Sequence, residues 1–147
     1  PQFIGSGPCK KARCKLCPMM PNTQVVQSTA SSFSFQIRGN FDCDSANVVY
    51  LLQCTICSTQ YIGQTETPLR VRINNHRYHI KTLTNLPLSK HVTCLGHPFD
   101  KFTVTVLKSK FRTHHEREMF ESFLIHKFNT VAGGINEHEG TFSFLST

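Results

Sequence analysis

The sequence predicts an α+β fold: a small, mostly antiparallel central sheet of about three strands flanked by helices, behind a cysteine-rich N-terminal extension. Three observations predict it. Strand-like runs of apolar and β-branched residues recur near 47–53, 59–64 and in "KFTVTVLK". Two other stretches carry helix-opening signals and apolar residues at helical spacing. The cysteines gather before the first long strand and in the turn between the first two.

In chain order, residues 1–30 read as irregular: "PQFIGSGPCKKARCKLCPMMPNTQ" is rich in Pro, Gly, Lys and Cys and lacks any period. "SSFSFQIRG" then alternates, with Phe33, Phe35 and Ile37 on one face of a strand. "NVVYLLQCTICSTQYIGQT" is a hairpin with a Cys-x-x-Cys in its turn and a tyrosine on each arm, Tyr50 and Tyr61. "TPLRVRINNHRYHIK" is helical, with Thr67 as N-cap, Pro68 in the first turn, and Leu69, Ile73 and Ile80 at helical spacing. "NLPLSKHVTCLGHPFD" is a short helix or a loop. Phe102, Val104 and Val106 share one side of the third strand. Thr113 and Glu116 form a capping box that opens a helix through about Phe128, with Met119, Phe120, Phe123, Leu124 and Phe128 as its buried stripe. "TFSF" reads as a last short strand. The chain divides into a cysteine-rich basic extension, 1–45, and a main domain, 46–147.

A chain of 147 residues with 39% apolar content can bury a real core without depending on staples. It contains no run of eighteen apolar residues, which excludes a membrane-spanning helix. It opens on Pro1 with no signal-peptide pattern after it, as expected of a fragment or a processed chain. Sixteen Lys and Arg against nine Asp and Glu give a net charge of +7, the balance of a domain that meets polyanions such as nucleic acid. Seven cysteines is an odd number, and their spacing resembles metal ligation more than a disulfide ladder. That places the protein in a reducing compartment, with Cys94 as the spare thiol.

Cys9, Cys14 and Cys17 have C-x4-C-x2-C spacing; a fourth thiolate closes a structural zinc site, and Cys43 is the candidate. Lys10, Lys11, Arg13 and Lys15 are interleaved with them, where they favour thiolate and offer phosphate contacts. Cys54 and Cys57 with His91 and His97 make a Cys2His2 pattern with a long interval, a zinc clip built into a larger domain. On the first predicted helix, Arg72 and His76 are i and i+4 and project from one face. Arg72 can grip a phosphate, and Arg70 and Arg77 extend the candidate DNA-binding set. Glu121 sits beside the apolar stripe of the second helix. A phosphodiester nuclease needs a group that activates water, a cation for the phosphate and a carboxylate for Mg2+ or Mn2+.

"VVY…YIGQT…LRVRINNH" resembles the GIY-YIG endonuclease family, in which two tyrosine motifs on adjacent strands precede an Arg-bearing helix. The first motif reads Val48-Val49-Tyr50, with Val48 where the family name has Gly, and the second reads Tyr61-Ile62-Gly63. Arg72 and His76 match the family arginine and the histidine after it, Glu121 its metal-binding glutamate, and Asn136 in "GGIN" a later asparagine. Gln64 stands where some members carry a lysine. The likeness covers roughly residues 46–137 and extends to the endonuclease domain of Penelope-like retroelements, where a cysteine pair lies between the tyrosine motifs and joins downstream histidines on zinc.

The resemblance implies hydrolysis of a DNA phosphodiester with one Mg2+ or Mn2+ held by Glu121, leaving a 3′-hydroxyl. Tyr50 would activate water, Tyr61 orient it or the phosphate, Arg72 stabilise the developing charge, and Asn136 support the substrate or the site's shape. Whether Tyr50, Tyr61 or His76 is the base stays open. It further implies one or two structural zinc ions, double-stranded DNA and element RNA as partners beside the reverse transcriptase domain of the same polyprotein, and a nuclear location. Two rivals keep part of the pattern: a non-catalytic zinc module that binds nucleic acid, and a structure-specific repair nuclease. A thiol redox protein lacks its βαβ context.

Overall fold

The computed structural model of the chain describes residues 4–138. In chain order it comprises β1 (Gly5–Ser6), β2 (Val25–Gln27), β3 (Ser34–Gln36), β4 (Asn40–Phe41), β5 (Val48–Cys54), β6 (Gln60–Thr65), α1 (Leu69–Thr82), α2 (Pro87–Leu95), β7 (Phe102–Ser109) and α3 (His114–Phe128). The main sheet is antiparallel throughout, in the order β6-β5-β7. This is the expected α+β arrangement of a three-stranded sheet with helices. No helix among the described residues is long and apolar enough to cross a membrane.

β5 is apolar on both faces because both are covered. Val48, Tyr50, Leu52 and Cys54 join Leu69, Ile73, Leu88 and Phe99 in one buried cluster beneath α1 and α2. Val49 and Leu51 join Ile62, Leu107, Leu124, Ile125 and Phe128 in a second cluster beneath α3. A bulge in β7 opposite Val49 and Tyr50 shifts the register there. Bulges sharpen the local twist, and this one lies beside a candidate catalytic residue.

The structure corrects the sequence reading at three places. Residues 1–30 are not wholly irregular: β1 pairs in parallel with β4, β2 pairs with β3, and the Ser6 hydroxyl oxygen accepts from the Val106 amide at 2.9 Å. β1 and β2, two and three residues long, are too short to show alternation, so the sequence hid them, whereas β3 falls in the alternating stretch expected as a strand. Thr67 is not the cap of α1. That position is Pro68, no side chain caps the helix, and the Thr67 hydroxyl instead meets that of Thr65 at 2.8 Å. In α3, Met119 is exposed, while Arg117, Ser122 and Ile125 are buried. The capping box itself forms, with Thr113 Oγ1 accepting from the Glu116 amide at 3.0 Å. The strand expected at "TFSF" lies outside the described residues.

Candidate active site and metal centres

Tyr50 lies at the middle of the central strand, opposite Gly63 in register, and is fully buried. Residues opposite one another on antiparallel strands share a face, so Tyr50, Gly63 and Tyr61 all point toward α1. Gly63 is required by this packing: a Cβ there would lie 2.5 Å from Tyr50 Oη. α1 seats Leu69 and Ile73 on the same face and presents Arg72 and His76 one turn apart. Arg72 Nε donates to Tyr50 Oη at 3.1 Å, and Tyr50 Oη lies 2.7 Å from His76 Nε2. The arginine can only donate, so the phenol oxygen accepts from it and sends its own proton to His76 Nε2. Burial, reinforced by Arg72 and His79, lowers the His76 pKa to about 3, which keeps the ring neutral and able to accept. Burial also pushes both tyrosine phenols above their ordinary range, with the Arg72 charge opposing the shift.

Glu121 comes to β6 from α3, where its carboxylate meets Gln64, and its charge opposes ionisation of Tyr50 and Tyr61. The site therefore lies at the β6 edge of the sheet, between the helix that carries the arginine and the one that carries the carboxylate. Burial raises the Glu121 pKa to about 7. Its Oε1 accepts a hydrogen bond from Gln64 Nε2 at 3.4 Å. Gln64 is itself held by Arg117, whose Nε donates to Gln64 Oε1 at 2.8 Å and whose Nη1 donates to Asn47 Oδ1 at 2.7 Å. Sequence reasoning missed Arg117. The signal that could have found it was its place one helical turn before Glu121. The hydrogen bonds of the Asn136 side chain go to main chain. Its amide grips the outer edge of β6, accepting from the Ile62 amide at 2.8 Å and donating to the Ile62 carbonyl at 2.9 Å. A cavity of about 670 Å³ lies elsewhere, lined by Phe35, Arg38, Phe41, Lys108 and Phe120 among others, and none of the candidate catalytic residues lines it.

Both expected cysteine clusters form, and each brings its ligand atoms within 4.8 Å of one another. Zn–S and Zn–N bonds of about 2.3 and 2.0–2.1 Å in a tetrahedron imply edges of about 3.8 Å between sulfurs, about 3.5 Å from sulfur to nitrogen and about 3.3 Å between nitrogens. In the hairpin cluster, Cys54 Sγ lies 3.5 Å from His97 Nδ1, Cys57 Sγ lies 3.5 Å from His91 Nε2, and the two ring nitrogens are 3.2 Å apart. In the N-terminal cluster, Cys9 Sγ and Cys17 Sγ are 3.6 Å apart, and Cys17 Sγ and Cys43 Sγ are 3.9 Å apart. The cysteines are all free thiols, and Cys94 is exposed on α2 outside both clusters. The four-cysteine set and the Cys2His2 set can each hold one zinc ion.

Of the candidate DNA contacts, Lys10, Arg13 and Lys15 are exposed. Lys11 pairs with Asp44 at 2.6 Å. Arg70 is taken up by Cys14, Cys9 and Asp44. Arg77 donates to Asn74 and Met19 and stacks over Phe99. A scan against family models and searches of curated proteins and of solved structures find no match to this chain.

Proposed function

We propose that the chain is a metal-dependent DNA endonuclease of the GIY-YIG kind that nicks one strand and leaves a 3′-hydroxyl. The observation that carries this reading is the convergence of Tyr50, Tyr61, Arg72 and His76 on one face of the sheet, with Glu121 meeting Gln64 on the adjoining edge strand β6. A Mg2+ or Mn2+ bound by Glu121 would supply Lewis-acid stabilisation of the scissile phosphate.

The chain's own residues do the rest. Tyr50 takes a proton from the attacking water as it passes its own to His76 Nε2; the water oxygen bonds to phosphorus, the P–O3′ bond breaks, and the leaving 3′-oxygen takes a proton from solvent. Protonating His76 is uphill in the free protein, because burial and Arg72 both oppose it. An anionic phosphate beside Arg72 offsets that charge and makes the relay easier in the complex. Arg72 answers the negative charge that grows on the phosphate. Tyr61, on the same face, orients the water or the phosphate. Asn136 fixes the strand that carries Tyr61 and Gly63, so it positions and does not react.

Within this reading the two zinc ions are structural, double-stranded DNA is the substrate, and the nick primes reverse transcription in the nucleus by a domain of the same polyprotein, copying element RNA. The test is chemical. Supercoiled plasmid is incubated with the protein and Mg2+ or Mn2+, and the nick is then offered to a DNA ligase and, separately, to a polymerase. Nicks that are sealed and extended support hydrolysis to a 3′-hydroxyl and 5′-phosphate. Nicks refractory to both would contradict it. The binding-module alternative draws on the two complete metal sets and on exposed Lys10, Arg13 and Lys15. It predicts retention of DNA with no cleavage under any metal.

A further inference from the structure

The N-terminal cysteine cluster is built into the helix that carries Arg72 and His76. An α-helix leaves its first N–H groups without internal partners, and a side-chain cap ordinarily takes one of them. α1 has no side-chain cap. Its first two amides are satisfied from the cysteine segment instead: the Leu69 amide donates to the Ser45 carbonyl at 2.8 Å, and the Arg70 amide donates to the carbonyl of Cys43, itself a cluster ligand, at 3.0 Å. The Arg70 side chain then turns back into the cluster. Its Nη1 donates to Cys14 Sγ at 2.7 Å and its Nη2 to Cys9 Sγ at 3.4 Å, while Nε and Nη2 both hold Asp44. Two turns further along, Arg77 reaches Met19 Sδ. Leu16, Met19 and Met20 lie in the same apolar cluster as Tyr50 and Ile73.

Four thiolates on a zinc ion leave a net charge of −2, and a guanidinium fork held against two of the sulfurs is suited to balance it. We infer that Arg70 is a positioning residue: it locks the four-cysteine metal clip to the start of α1, so that metal in the first cluster sets the placement of Arg72 and His76 and thereby the rate of cleavage. The catalytic part of this inference rests on the nuclease reading above, whereas the coupling of clip to helix does not. The expected consequence differs from that of a basic arm for DNA. Loss of a phosphate contact weakens DNA binding, whereas loss of a positioning contact lowers kcat and leaves binding alone.

The experiment uses the full chain loaded with zinc, as wild type, Arg70→Ala and the milder Arg70→Lys, which keeps the charge and loses the fork. Three quantities are read: zinc release to a chromogenic chelator, backbone hydrogen exchange, and nicking kcat beside DNA Kd. The expected result is that one zinc equivalent leaves Arg70→Ala about 10- to 100-fold more readily while the other is unaffected. The Leu69 and Arg70 amides exchange faster, the α3 amides do not, and kcat falls by a similar factor with Kd unchanged. Removing the same zinc equivalent from wild type should loosen the same amides. Unchanged zinc release and unchanged exchange at the start of α1 would overturn the inference, as would intact kcat with a raised Kd. If wild type does not nick, the nuclease reading fails, and zinc release and exchange still decide the coupling. If Arg70→Ala does not fold, as reported by lost α3 protection, Arg70→Lys decides by the same criteria.

Discussion

The side chains of the site are set by what each can donate or accept. Tyr50→Phe removes the hydroxyl between Arg72 and His76, and nicking is expected to fall about 10²- to 10⁴-fold, with circular dichroism showing an unchanged fold. Glu121 carries a pH signature of its own. Its folded pKa, about 7, is above the ordinary 4.5, so between those values the native state holds more protons than the unfolded chain, and its contribution to stability falls as pH rises. His76 runs the other way. Its pKa of about 3 means that the unfolded chain binds the extra proton below pH 6.5, and stability is lost as pH falls. The two effects oppose each other between about pH 4.5 and 6.5. Metal-free Glu121→Gln should therefore be more stable than wild type at about pH 8 and lose stability more steeply on acidification, as read by thermal melts at each pH. A parallel pH dependence in the two proteins would refute this assignment. At this scale the sequence showed the motif residues, because Tyr61, Gly63, Arg72 and His76 lie close together in the chain. It did not show Gln64 and Arg117 supporting Glu121, because those partners lie on β6 and α3 and meet only once the sheet is packed.

The elements differ in how openly they announce themselves. α3 opens on Thr113 and Glu116, side chains with a recognisable pattern, and Thr113→Ala is expected to cost about 1 kcal/mol in urea denaturation. α1 gave a misleading signal at Thr67, because its real partners are backbone carbonyls at Ser45 and Cys43, and carbonyls leave no trace in sequence. β6 depends on two devices. Gly63 leaves room for Tyr50, and Gly63→Ala is expected to cost about 1–3 kcal/mol through overpacking, with nicking falling further than stability because Tyr50 is displaced. Asn136 covers the exposed edge of β6, so Asn136→Ala strips two hydrogen bonds from Ile62. That should cost about 1–3 kcal/mol and speed exchange at the Ile62 amide. A loss of nicking with no change at Ile62 would instead make Asn136 a substrate contact.

Across the whole molecule, each cysteine cluster gathers separate stretches of the chain against the core cluster that contains Tyr50. The Cys2His2 set ties the β5–β6 turn to α2 and the loop after it, and the four-cysteine set ties the N-terminal segment to α1. The two sets that could hold metal were largely legible in cysteine and histidine spacing, because metal geometry constrains spacing. The joint packing of residues on both sides of position 45 could not, because it depends on Leu16, Met19 and Met20, which carry no spacing signal. Convergence of the candidate catalytic group was equally hidden until α3 took its place against β6. Nuclease chemistry at this edge requires that convergence. Its most direct test is nicking of supercoiled plasmid in Mn2+ by wild type and Glu121→Ala, with DNA binding measured alongside. Wild type is expected to cleave and the variant to lose about 10²-fold or more in rate, with DNA affinity unchanged. Equal nicking by both proteins, or none by either while both bind DNA, would contradict the nuclease reading.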